Sequence, residues 1–515
     1  MRMIKKIAFL GLVTVFLFVP RVEASEFLPL SHWSYAAVDK LGAYGLIDLQ
    51  KLGTKPYRRE DVSKWTQEAI RRIQNREVRI GNGENDLEVI LLKLKKEFLD
   101  QPPGKARFES SAKITYAALD TPSFSPGNAN GRDNYDGLNL RLSGRAAFQI
   151  NKHLNLVLSP VVYYQNTGTD EAEVTLEEAY LSGRLGNWEL TAGRLPQWWG
   201  AGQEGQLLLT NNTFPFDLFR ISNNEPFYWP WILRNLGPSY YTFYATRLEA
   251  DRPIAHPFIT GHRFEVNPTS YLSLGFSRTI LLGGDGRNYQ FEPWNYFLIF
   301  LGRPQYEYRS EETIPRLDTD QQLSWDFRWR IDNVERFLPF LGDTMQVYGE
   351  LGREVTSRSM LDFVNHPEAY LAGIFIPSVL HQEGLDLRVE YADTYIHYWP
   401  NYWYTHGTYS PGLYYRGKVI GHQMQTGRDL FINITQRFSE QWTADWSFDR
   451  QEHFPVTDPA EIQTSIGINL KYLPLEPKKP EWNFGANYAT IDNLNNSSGQ
   501  KADDFLFSVS TNIRF

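Results

Sequence analysis

The chain has 515 residues, 15% of them aromatic (15 Trp, 29 Tyr, 32 Phe), no cysteine and a formal net charge of −8. That balance argues against a nucleic-acid binder, which needs a basic footprint, and the lack of thiols excludes disulfides and thiolate metal sites. Ten scattered His residues show no ligand spacing, so neither a metal nor another cofactor is expected.

Arg2, Lys5 and Lys6 precede an apolar run from Ile7 to Val19 and then Val22-Glu23-Ala24. This pattern predicts a secretory signal peptide over residues 1–24; the run is shorter than the roughly 20 residues of a spanning helix. From Ser25 to Pro103 the period is helical. Ser31 is placed to cap a first helix carrying Trp33, Ala37, Leu41 and Tyr44 on one face, ended by Gly45. A second helix starts near Glu60 and buries Val62, Trp65, Ala69, Ile70 and Ile73. A third, opened by Asn85 and Asp86, aligns Leu87, Ile90, Leu91, Leu94 and Phe98. Residues 25–103 are thus predicted to be a small helical bundle on the periplasmic side, able to plug a pore.

Within it, His32-Trp33, Leu41, Gly45-Leu46-Ile47 and Pro56-Tyr57-Arg58-Arg59-Glu60-Asp61-Val62 resemble one copy of the S-layer homology motif. That motif grips cell-wall polymers and works in sets of three, so a lone copy favours a plug or brace, with cell-wall contact as the second reading.

From Arg107 the period becomes two. Leu138, Leu140, Leu142, Ala146, Phe148 and Ile150 alternate with Asn139, Arg141, Ser143, Arg145 and Gln149, and the pattern returns around Leu323–Ile331, Trp442–Asp449 and Glu461–Tyr472. Sixteen to eighteen such segments can be counted. Aromatic richness with a mean hydropathy of only −0.44 fits strands wet on one face and lipid-belted on the other. Residues 104–515 are therefore predicted to form an all-β, antiparallel transmembrane barrel of about 18 strands. The last strand, Asp504–Phe515, sets Phe505, Phe507, Val509, Thr511, Ile513 and Phe515 against Leu506, Ser508, Ser510, Asn512 and Arg514. It should pair with the first strand and leave no edge, with the terminal aromatic Phe515 as the signal read by the barrel-assembly machinery. The expected location is the cell outer membrane, among its lipids.

Long connections are expected at Thr210–Gly237, Gly283–Asp320 and Tyr395–Arg428, facing outward, where function is usually placed. Two stretches, Gly193–Asn212 and Tyr395–His422, are rich in aromatic and amide side chains. Aromatic faces pack on sugar rings while amide and imidazole groups bond hydroxyls. The candidate polysaccharide-binding residues are Trp198, Trp199, Asn211, Asn212, Tyr398, Trp399, Trp403 and His422. The rival reading makes the aromatics girdle or loop-packing residues.

The order of Gly193-Arg194, Trp198-Trp199-Gly200, Leu207 to Asn212, Gly237-Pro238, Gly261-His262-Arg263, Ser277-Arg278-Thr279, Tyr348-Gly349-Glu350 and Gly421-His422 resembles the Wzi family of outer-membrane capsule assembly proteins. The resemblance implies a barrel of about eighteen strands that binds and organises exported polysaccharide at the cell surface, with no catalytic residues to carry over. No Gly-x-Ser-x-Gly, His-Glu-x-x-His or P-loop occurs, so an enzyme is not expected. A porin-type channel is the main alternative, and a barrel-embedded hydrolase the lesser one.

Overall fold

The computed structural model describes residues 25–75, 84–101, 106–166, 170–286, 293–300, 319–354, 368–395, 403–453 and 459–515. The expected signal peptide lies outside them. Eighteen strands form a closed antiparallel barrel from Ala106–Leu119 to Lys501–Arg514. Closure joins the last strand to the first, from Glu109 opposite Arg514 to Leu119 opposite Asp504, so every strand finds two neighbours and no edge is left.

The alternation sorts side chains by environment. Leu142, Ile150, Trp329, Trp446, Ile466, Phe505 and Phe507 stand on the outer surface. Their neighbours in sequence turn into the lumen and pair there: Arg145 Nε with Glu178 at 3.0 Å and Arg263 Nη1 with Asp326 at 2.6 Å. An apolar outer face around a charged interior is stable only with lipid outside and polar contents within. No helix among the described residues is long and apolar enough to cross a membrane; the strands make the crossing.

Helices α1 (Ser34–Ala43), α2 (Arg59–Gln74) and α3 (Glu84–Phe98) share a core of Val38, Leu41, Leu46, Val62, Ala69, Leu87 and Leu94. The expected Ser31 cap is not made. Trp33 occupies the cap position of α1 without a side-chain bond, and the His32 Nδ1 accepts from the Ser34 backbone N–H at 3.2 Å. Gly45 turns the chain out of α1 at φ +69°, where a Cβ would lie 2.7 Å from the Arg330 guanidinium.

The helices dock on the barrel end that carries tight turns such as Lys152-His153 and Ser270-Tyr271. Lys40 Nζ pairs with Asp86 at 2.5 Å and with Asp386 at 2.7 Å. Asp39 pairs with Arg328 at 2.8 Å and with Arg388 at 3.4 Å. Burial alone would raise the Asp39 carboxyl, but Arg328, Lys55 and Arg388 outweigh it and hold its pKa down at about 2. Glu97 on α3 accepts from His32, Trp33 and Arg59 and lies 3.7 Å from Arg514 of the closing strand.

One expected connection is corrected. Thr210–Gly237 is not a single outer loop, because Phe216–Asn223 within it is a wall strand paired with Trp188–Leu195 and Ser239–Arg247. Its lumen-facing Phe216 and Leu218 are apolar, and so mask the alternation. The outer connection is residues 196–215, and residues 224–238 turn at the helix end.

Candidate functional site

At the end opposite the helices, three connections converge: residues 120–136, 196–215 and the described part of the third, 394–395 and 403–426. The last two do not stand up from the barrel. They fold back into the lumen and build an apolar core there, with Trp199, Leu207, Leu208, Leu209, Tyr244, Trp403, Tyr404 and Ile420 all buried. Carboxylates of the wall hold the loop backbone. Glu350 accepts the Leu207 N–H at 2.8 Å, and Glu390 accepts the N–H groups of Gln203 at 2.8 Å and Glu204 at 3.0 Å. A carboxyl oxygen is a good acceptor for backbone donors removed from water.

The sinking loop meets the helical segment. Thr54 and Lys55, on the stretch between α1 and α2, pair antiparallel with Trp199 and Trp198. The Gly200 N–H donates to the Gly53 carbonyl at 2.7 Å. Gly200, at φ +125°, adopts a backbone conformation that favours glycine, and a Cβ on Gly53 would approach the Arg263 guanidinium to 2.4 Å. Polypeptide thus occupies the lumen continuously from the helix end to the outer loops.

This arrangement gives the expected binding residues their places. Trp199 and Trp403 are fully buried, at 1% and 0% exposure, and Trp198 is buried with Lys55 Nζ 5.7 Å from its ring. They were expected as outward-facing sugar platforms; a lumen already filled with apolar loop takes them inside as packing residues instead. Asn212 donates to the Val419 carbonyl at 2.9 Å and Asn211 to Asn130 at 3.0 Å, so both amides tie loops together. His422 is buried, its Nε2 3.8 Å from Asp429. Burial pushes its pKa down to about 4, leaving a neutral ring at physiological pH. Tyr398 and Trp399 lie outside the described residues. Phe515, an exposed residue, donates its N–H to Phe108 at 2.8 Å and so joins the closing seam.

Sequence reasoning missed a group at the rim. Phe214, buried, is approached by Arg416 at 4.4 Å, Arg194 at 5.0 Å and Arg132 at 5.6 Å from its ring centre, and Arg132 stacks on Tyr163 at 4.3 Å. Arg132 forms a two-pronged pair with Glu173, at 2.6 and 2.8 Å, and Arg194 another with Asp217, at 2.9 and 2.7 Å. Gly131, at φ +75°, lets the residue 120–136 loop press against Phe214, since a Cβ would come within 2.5 Å of the Phe214 nitrogen. The one local signal was Arg416-Gly417 between Tyr414-Tyr415 and Lys418-Val419, a two-residue hairpin turn. Among the described residues no group of three His, Asp or Glu side chains is placed to hold a metal.

The fold has a counterpart among solved structures. Wzi of Escherichia coli, an outer-membrane protein involved in group 1 capsule assembly and a carbohydrate-binding β-barrel, superposes with a TM-score of 0.68 at 19% identity, covering 93% of this chain and 98% of that one. OccK5 (OpdH) of Pseudomonas aeruginosa gives a TM-score of 0.46 at 9% identity, covering 80% of this chain and 98% of that one. In sequence, an uncharacterized 55.8 kDa protein of the cps region of Klebsiella pneumoniae is 27% identical over 217 residues, 42% of this chain and 40% of that relative's length. The family described as Capsule assembly protein Wzi matches residues 107–506. The chain belongs to the Wzi family of capsule assembly proteins.

Proposed function

We propose that this protein is a non-enzymatic outer-membrane barrel that binds exported capsular or related polysaccharide at the cell surface and organises it there. The observation that carries this reading is the continuous filling of the lumen, from the docked helices through Gly53 and Gly200 to the outer loops. A conduit would need an open path along that axis, so the filled interior favours a binding scaffold over the porin alternative. The family and the carbohydrate binding of the Escherichia coli relative support the same reading. The helices would face the periplasm, since long loops of such barrels face outward and tight turns inward; contact with the cell wall is a second role open to them.

The ligand would rest on the outer mouth formed by residues 120–136, 196–215 and 403–426. Tyr398 and Trp399 remain candidates for stacking on it, with Asn211 and Asn212 shaping the loops beneath. The proposal is tested on the purified barrel, by binding of capsular polysaccharide, and on cells, by surface-bound against shed polymer at equal barrel abundance. A barrel that binds no polysaccharide but conducts steadily would replace this reading with the porin.

A further inference from the structure

We propose that the arginine cluster around Phe214 is the subsite for a carboxylate-bearing sugar, so that the polysaccharide held at this mouth is acidic. The inference rests on the polysaccharide-binding reading above and names the chemistry of its ligand.

Four cations gather at the rim: Arg132, Arg194, Arg416 and Lys418. Three carboxylates answer them, Glu173 on Arg132, Asp217 on Arg194 and Asp133 on Lys418, the last at 2.7 Å. Arg416 forms no ion pair with the described carboxylates and is exposed, whereas Arg132, Arg194 and Lys418 are only partly so. The cluster therefore carries one positive charge in surplus, on a chain whose net charge is −8. An acidic polymer repelled by the whole molecule finds its attraction at this rim.

The geometry prepares Arg416 for such a ligand. The Tyr414-Tyr415 and Lys418-Val419 pairing closes through Arg416 at φ +49° and Gly417 at φ +80°. This is the left-handed pair of a type I′ turn, in which a glycine or asparagine is the usual first residue. An arginine held there projects from the hairpin tip, its guanidinium 4.4 Å from the Phe214 ring and 5.4 Å from the Tyr415 ring. Contact with both rings and with the Tyr415 hydroxyl holds the guanidinium at the tip, and its exposed side faces solvent. The N–H edge of a guanidinium matches a planar carboxylate with two parallel hydrogen bonds, which a hydroxyl or a neutral ring cannot supply. Beside it Arg132, held by Glu173 against Tyr163, extends the cationic edge along the mouth.

The test uses the full-length barrel in detergent, with three probes: polyglucuronate, the same polymer with its carboxyls reduced to alcohols, and vesicles containing phosphatidylglycerol. Wild type should bind polyglucuronate about tenfold more tightly than the reduced polymer, as a two-pronged charged contact implies, and salt should weaken the difference. Arg416→Gln should abolish that preference, bringing the two polymers to equal binding. Arg416→Lys should restore it in part, because an ammonium keeps the charge without the fork. Barrel integrity is read alongside from heat-modifiable migration in every variant.

Equal binding of the two polymers by wild type, or a full preference retained in Arg416→Gln, overturns the assignment while leaving polysaccharide binding intact. Loss of vesicle binding in Arg416→Gln without change on either polymer reassigns the cluster to lipid phosphate and also overturns it. Failure of wild type to bind either polymer sinks both this inference and the reading beneath it.

Discussion

The backbone N–H of Gly200 reaches the carbonyl of Gly53 at 2.7 Å, across 147 positions of sequence, and Trp199 beside it faces Thr54. An outer loop and a helix-end segment thereby share one small sheet in the middle of the barrel. Trp199 is the anchor of that junction, packed on Tyr244 at 5.3 Å between ring centres. Replacing Trp199 by Ala should therefore act as a core deletion, costing about 3–5 kcal/mol. The temperature at which the folded band disappears on unboiled gels should fall, and polysaccharide retention should fall only in step with barrel abundance. Lost retention at normal abundance and normal heat stability would return Trp199 to the sugar-binding set.

Conductance follows from the same junction. The intact protein should be closed in planar bilayers, and deleting residues 25–75 should give only small, unsteady currents. The loop core around Leu207, Trp403 and Tyr404 still fills the outer half. Steady large currents should need removal of residues 200–212 as well. A full-size pore from the helix deletion alone would show that the loops do not occlude.

The docking of α1 should be sensitive to acid. The Asp39 pKa is depressed to about 2 from an ordinary 3.8. A carboxyl lowered in the folded state stabilises above its ordinary pKa and loses that contribution as pH falls through the folded value. Protease access to residues 25–103 should thus rise as the pH is brought from 4 to 2, and Asp39→Asn should already show raised access at pH 7. Identical digestion of variant and wild type across this range would contradict the role given to the Arg328 and Arg388 contacts.

Glu390 offers a sharper test of how the loop is held. Its carboxylate receives the Gln203 and Glu204 N–H groups and the Tyr348 hydroxyl, the last at 2.6 Å. Glu390→Ala leaves buried donors unsatisfied, at about 1–3 kcal/mol each. The expected outcome is faster amide exchange over residues 200–212 with the wall strands unaffected. Unchanged exchange there would mean that the apolar core alone holds the loop.

Replacing Phe515 by Asp should slow assembly and leave degraded chain, since the last residue extends the seam through its bond to Phe108. Pulse-chase appearance of the heat-modifiable form measures this; a normal rate would remove the assembly-signal role.

The barrel was legible in the sequence because period-two alternation is a local property: Leu138 to Ile150 and Phe505 to Ile513 announce their outer faces without reference to any partner. The three helices were legible for the same reason at their own period. The strand Phe216–Asn223 was not, because its lumen face meets loop residues and so is apolar at Phe216 and Leu218. The fate of Trp199 and Trp403 was also hidden. An aromatic loop reads alike whether it stands in water or folds into a pore, and the choice was made by Glu350 and Glu390 on strands far away in sequence. The cluster at Phe214 draws Arg132 and Arg416 from two outer connections and Arg194 from the wall strand Trp188–Leu195, positions far apart in sequence.

Arg514 stands where the first strand, the last strand, its neighbour and α3 come together, within reach of Glu109, Glu481 and Glu97. The seam is thus latched by a residue that also reaches the N-terminal helices. Glu109 and Glu481 receive it from the strands on either side of the last one, so closure of the cylinder and docking of α3 share a single guanidinium. A chain lacking these helices should accordingly close its barrel with a seam that opens at a lower temperature, and the helices supplied as a separate polypeptide should raise that temperature again.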